Sequence, residues 1–162
     1  MFKLHYNNEL TARKTIMIRL ILVVCVGNIC RSPMAEALLR DALREQQDII
    51  VESAGLGALV DHPASEHAAT LMQERGLDIS QHRARQITPD MVHAADLVLV
   101  MEAGHKRAID ANEPAARAKI FRLGEWQDRD IKDPYRQPRE AFEAALVDID
   151  AGVAEWARRI AT

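Results

Sequence analysis

The sequence predicts an α/β fold: a four-stranded parallel sheet with helices on both faces. Three observations carry that prediction. Four short apolar runs alternate along the chain with stretches of helical spacing. The runs are apolar throughout, as strands covered on both faces are, and parallel strands need helical crossovers. A chain of 162 residues holds one core of this size and leaves little room for a second.

Residues 1–16 are polar and mildly basic. They read as an N-terminal extension, either disordered or upstream of a start at Met17, with one domain over 17–162. The β-branched run 19–24, bounded by Gly27, is the first strand. Ser32 is the expected cap of the following helix, Pro33 suits its first turn, and Ala35 to Leu39 are good helix formers. A second strand covers 49–52 and ends in Ser53-Ala54-Gly55. The spacing predicts a helix over 65–75 closed by Gly76, with Ala68, Ala69, Leu71 and Met72 as its apolar face. Thr88-Pro89 opens a short helix reaching Ala94, 96–101 is a third strand, and 102–111 is helical. A fourth strand over 119–123 precedes a long helix over 138–160, where Phe142, Leu146, Ile149, Val153, Trp156 and Ile160 recur at spacings of three and four.

With 48% hydrophobic and 28% charged residues, the composition is that of an ordinary soluble domain. A formal charge of −3 offers nucleic acid no basic face. No run reaches the ~18 apolar residues of a membrane span, so no membrane insertion is expected. A secretory signal over 16–26 is rejected: Arg19 interrupts it, no small-residue cleavage site follows, and Val24 stands where a lipoprotein signal has a small residue. Two cysteines five residues apart cannot staple the fold, which fits a reducing cytoplasm. The six histidines form no ligand spacing, so neither metal nor cofactor is expected.

The chemistry concentrates in CVGNICRSP, residues 25–33, between the first strand and its helix. In parallel sheets ligands bind at this end of the strands. Cys25 and Arg31 enclose five residues whose backbone N–H groups can converge on one point, reinforced by the helix N-terminus. That potential favours the thiolate, which is the reactive form of cysteine. Arg31 supplies a planar fork for two phosphate oxygens. Gly27 permits close backbone approach, and Asn28 tolerates the left-handed region while its amide ties the loop together. Ser32 can donate a hydrogen bond to the thiolate. Together these features suit a phosphocysteine intermediate, whereas the spacing of Cys25 and Arg31 alone is a weak signal.

The string VCVGNICRSPMAEALLR (24–40), followed in order by VESAGLGALV (51–60), HRARQIT (82–88) and DPYR (133–136), resembles the low-molecular-weight protein tyrosine phosphatase family. The resemblance spans about residues 18–160 and is strongest to the bacterial branch paired with tyrosine kinases of capsule and exopolysaccharide export. It implies a flavodoxin-like three-layer sandwich and metal-free hydrolysis of phosphotyrosine through a cysteinyl-phosphate. By position it implies Cys25 as nucleophile, Arg31 as phosphate clamp, and Asp133 as general acid and then base. Val26, Gly27, Asn28, Ile29 and Cys30 would surround the phosphate, with Leu59 and Tyr135 lining the slot for the ring. Asn28, Ser32, Ser53 and His82 match the network that holds the loop. The implied partner is a phosphotyrosine protein, a bacterial tyrosine kinase with a tyrosine-rich tail.

Plainer roles compete for several of these residues. Asp133 before Pro134 is also an ordinary turn, Leu59 in a loop can be satellite core, and His82 is structural on either reading. Asp128 and Asp130 read as solvated loop charges. Cys30 is either simple packing or a second thiol that traps an oxidised Cys25 as a disulfide. Arsenate reduction on the same fold needs two further thiols, which this chain lacks. A phosphoarginine phosphatase has threonine where Ile29 stands here, and a branched apolar group favours a flat aromatic ester. An inactive phosphotyrosine-binding module is disfavoured because Cys25, Arg31 and Asp133 are all present. A thioredoxin-like oxidoreductase requires two residues between its cysteines, not four.

Overall fold

The computed structural model describes residues 3–6, 14–46 and 48–161. At its start Lys3–Tyr6 (β1) pairs antiparallel with Lys14–Met17 (β2), a two-stranded sheet separate from the main one. The extension expected over 1–16 thus includes paired backbone, while residues 1, 2 and 7–13 lie outside the described residues.

The four apolar runs form β3 (Leu20–Cys25), β4 (Ile50–Gly55), β5 (Leu97–Val100) and β6 (Ile120–Arg122), a parallel sheet in the order β4-β3-β5-β6. Asp96 sets the entry to β3, its Oδ2 accepting from the N–H groups of Arg19 and Leu20 at 2.9 Å each. The second strand runs longer than expected. Ser53-Ala54-Gly55 has the composition of a loop, yet it lies in register with Val23, Val24 and Cys25. Small residues are needed there: a Cβ on Gly55 would collide with the Val26 carbonyl oxygen of the loop after β3.

Helices α1 (Arg31–Ala42), α2 (Glu66–Glu74), α3 (Pro89–Ala94), α4 (Ala103–Asn112) and α5 (Arg139–Ala161) cover the two faces. Along β3 the side chains alternate between two apolar clusters. Ile21, Val23 and Cys25 join residues of α1, α2 and α5, whereas Leu22 and Val24 join Val92 of α3 and Ile109 of α4. Gly76, at φ 76°, ends α2 in the left-handed region that glycine enters freely. The buried Trp156 of α5 donates its Nε1–H to the Leu123 carbonyl at 3.1 Å. One turn earlier, a Cβ on Gly152 would meet that carbonyl oxygen at 2.6 Å, so a glycine lets α5 approach the end of β6. Two short 3₁₀ turns, Pro114–Lys119 and Glu125–Gln127, carry no apolar periodicity and were not anticipated.

One expectation is corrected. Helix α1 starts at Arg31, with Cys30 at the N-cap position and no side-chain cap, so Ser32 lies inside the first turn. Its hydroxyl is directed to other partners, described below. Because all four strands run the same way, Cys25, Gly55, Val100 and Arg122 end at one edge. The loops that follow them gather there.

Candidate active site

The loop 26–30 turns on Asn28, which is fully buried at φ 59°. Asn28 Nδ2 donates to the hydroxyls of Ser32 (2.8 Å) and Ser53 (3.0 Å), and its Oδ1 accepts from the Arg85 N–H at 2.9 Å. Its backbone carbonyl lies 2.7 Å from His82 Nε2, and since a carbonyl only accepts, that nitrogen carries the proton. Arg85 in turn holds the Ser53 carbonyl and the Glu52 carboxylate. Ser32, Ser53 and His82 thus stand behind the loop around Asn28.

The loop's carbonyls are all taken. Those of Cys25, Val26, Gly27, Asn28, Ile29 and Cys30 accept from Leu56, Gly57, Leu59, His82, Ser65 and Met34 respectively. The N–H groups of 26–30, by contrast, donate to no acceptor among the described residues. Spent carbonyls and unspent amides on one short loop make an anion nest.

Cys25 is 3% exposed, and its Sγ lies 2.9 Å from the Ser32 hydroxyl. Because Asn28 already donates to that oxygen, the Ser32 hydrogen is left for the sulfur. This employment explains why Ser32 does not cap the helix. Arg31 is 1% exposed. Its Nη1 donates to Glu102 Oε2 at 2.9 Å and to the Ile131 carbonyl at 2.7 Å, and its Nη2 lies 3.5 Å from Asp133 Oδ2. Its buried Nε has no partner and its Nη2 makes no hydrogen bond, which leaves guanidinium donors on one edge for an anion. The other oxygen of Asp133 accepts from the Tyr135 N–H at 3.0 Å, closing the turn that the Asp-Pro pair suggested.

A cavity of about 130 Å³ is lined by Cys25, Val26, Gly27, Ile29, Cys30, Arg31, Leu59, Asp133 and Tyr135, with Gly57 besides. The residues expected to surround a phosphate and its ring meet there with one exception: Asn28 is fully buried, its side chain turned to Ser32, Ser53 and Arg85, and does not line the cavity. Cys30 is buried with its thiol 3.5 Å from the Ser65 hydroxyl. Burial pushes that thiol up to about 11, against the lowering effect of the Ser65 hydroxyl.

Sequence reasoning missed three residues. Glu102, at the N-cap position of α4, anchors Arg31, and His105 Nε2 lies 2.9 Å from the same carboxylate oxygen. Burial holds His105 toward its neutral form, although Glu102 pulls the other way. An acid directly after a buried strand, at the edge where the loop also ends, was the available signal for Glu102. Asp130 is the third. Both it and Asp128 are exposed charges, as expected, but Arg122 also pairs with them, at 3.2 Å and 2.7 Å. Burial would raise the Asp130 carboxyl, but the Ala103 N–H and Arg122 hold it below the usual range.

A family model for low molecular weight phosphotyrosine protein phosphatases matches residues 20–162. The probable low molecular weight protein-tyrosine-phosphatase EpsP of Ralstonia solanacearum is 53% identical over 144 residues, covering 89% of this chain and 97% of EpsP. Among solved structures, Vibrio vulnificus Wzb in complex with benzylphosphonate superimposes with a TM-score of 0.82 at 40% identity, covering 87% of this chain and 98% of that one. The YwlE arginine phosphatase from Geobacillus stearothermophilus superimposes with a TM-score of 0.80 at 36% identity, covering 86% and 91% of the two chains.

Proposed function

The chain belongs to the low molecular weight phosphotyrosine protein phosphatase family, and from that premise we propose that it hydrolyses phosphotyrosine in proteins through a cysteinyl-phosphate. The observation that carries this reading is the loop's asymmetry, with its carbonyls spent and its amides and Arg31 Nε unspent around a buried cysteine sulfur. Cys25 Sγ attacks phosphorus while the loop amides and Arg31 hold the equatorial oxygens. Asp133 protonates the departing tyrosyl oxygen, then takes a proton from the water that attacks the phosphocysteine. The Ser32 hydroxyl stabilises the sulfur anion as nucleophile and again as leaving group.

An arginine phosphatase shares the fold, so the fold does not choose the phosphorylated side chain. The cavity wall supports the aromatic choice: Ile29 and Leu59 are apolar, and Tyr135 offers a ring face for a flat substrate. A benzyl group is the aromatic element of the ligand bound to the Vibrio Wzb. The bacterial resemblance further suggests a tyrosine kinase with a tyrosine-rich tail as partner. Two free thiols suit the cytoplasm as its compartment. Initial rates should favour a phosphotyrosine peptide over phosphoserine and phosphoarginine peptides of the same sequence. Asp133→Ala should lose about 10²–10³-fold in kcat/KM on phenyl phosphate. Preference for either other peptide would overturn the reading.

Cys30 is proposed as a guard for Cys25. An oxidised Cys25 sulfenic acid condenses with the Cys30 thiol, releasing water and leaving a disulfide that dithiothreitol reverses. The neutral, buried Cys30 thiol makes this step slow at neutral pH and faster as pH rises, because the thiolate is the attacking form. Peroxide followed by dithiothreitol should restore the wild type more fully than Cys30→Ser. Equal recovery of the two would remove the role.

A further inference from the structure

The hydrogen bonds that tie the acid-bearing loop between β6 and α5 to the rest of the protein lie upstream of Asp133. Downstream of Asp133 its hydrogen bonds are internal, from the Tyr135 N–H to Asp133 and from the Gln137 N–H to the Pro134 carbonyl. Upstream it is held at several points, Arg129 pairing with Asp148 of α5 at 2.8 Å among them, and the two nearest to Asp133 are adjacent residues, Asp130 and Ile131. The Ile131 N–H donates to the Met101 carbonyl at 2.9 Å, and the Ile131 carbonyl accepts from Arg31. Asp130 Oδ1 accepts from the N–H of Ala103, the first residue of α4, at 2.9 Å, and Arg122 Nη1 lies 3.2 Å from the same oxygen. Only Lys132 separates this anchor from Asp133.

The place of that anchor matters. Glu102 and Ala103 are consecutive: the side chain of one holds the phosphate clamp, and the amide of the next holds the acid loop. The start of α4 therefore sets the distance between Arg31 and Asp133. An amide at a helix N-terminus is a strong partner for a carboxylate, since it is otherwise unpaired and carries the positive end of the dipole.

We propose that Asp130 is a positioning residue for the general acid, its bond to the Ala103 amide fixing the loop so that Asp133 reaches the leaving oxygen. Asp130 is not among the residues lining the cavity, so it acts through Asp133. The proposal rests on the reading of Asp133 as the acid, and the test separates the two.

The readout is the slope of log kcat/KM against leaving-group acidity across a series of aryl phosphates, from dinitrophenyl to phenyl. A poor leaving group needs the proton and a good one does not, so a misplaced acid steepens the slope. Asp130→Ala should lose about tenfold on phenyl phosphate and less than about twofold on dinitrophenyl phosphate. Inhibition by inorganic phosphate should stay within about twofold, because the loop 26–30 is untouched. Asp130→Asn keeps an oxygen for the Ala103 amide and should retain the wild-type slope.

A parallel loss on every ester, or no loss at all, would overturn the positioning role. An asparagine slope as steep as that of alanine would overturn the amide bond as the anchor. If Asp133→Ala itself leaves the slope unchanged, the assignment of the acid fails, and the role of Asp130 fails with it.

Discussion

Cys25→Ser is expected to lower kcat/KM on phosphotyrosine by at least about 10⁴-fold while leaving phosphate binding nearly intact. The substitution replaces a sulfur with an oxygen in nearly the same place. The buried site already supplies that atom with a hydrogen bond from Ser32, so the variant should fold. What it loses is the anion. A serine hydroxyl attacks only when an adjacent base removes its proton, and the partner of this position is another hydroxyl, not a base. The anion nest and Arg31 do not depend on the sulfur, so calorimetric titration with inorganic phosphate should give an affinity close to that of the wild type. Turnover within tenfold of wild type would mean that Cys25 is not the nucleophile.

Arg31→Lys is expected to lose about 10³-fold in kcat/KM, about 4 kcal/mol of transition-state stabilisation, together with most phosphate affinity. The guanidinium serves several partners at once. Nη1 holds Glu102 and the Ile131 carbonyl, Nη2 faces Asp133, and Nε stays free for the anion. A lysine ammonium is a single point and cannot divide itself between Glu102 and a phosphate. It also releases the Ile131 carbonyl, so part of the loss should arise from a loosened acid loop. Steady-state kinetics on phenyl and dinitrophenyl phosphate separate the two contributions. The clamp contribution weakens both esters equally, and the loop contribution adds a further loss on phenyl phosphate alone. A lysine variant that keeps wild-type phosphate affinity would show that the amides bind the anion without the arginine.

The two variants differ in what the sequence makes legible. Cys25, Gly27, Asn28, Arg31 and Ser32 lie within eight residues, and a loop between strand and helix encodes their chemistry in contiguous residue types. The apolar runs predicted four parallel strands, and four form the sheet, with ends displaced by a residue or more where small residues such as Ser53-Ala54-Gly55 look like loop but pair as strand. Asp133 and Tyr135 were legible through the family resemblance, because Asp-Pro by itself marks only a turn.

The partners of those residues were not legible. Glu102 lies 71 positions from Arg31, and Ala103 lies 27 positions from Asp130. Hydropathy periodicity states which face of a strand is buried, not which strand lies beside it. Contiguous residue types carry the chemistry: a cysteine, an arginine and a run of amides placed where a strand ends and a helix begins. The tertiary structure alone decided how that chemistry is held. The order β4-β3-β5-β6 sets β5 beside β3, brings Glu102 to Arg31, and lets the start of α4 hold the clamp and the acid loop together. A hydrogen bond between residues far apart in the chain exists only once the sheet order has closed the distance, and local residue preferences carry no record of that order.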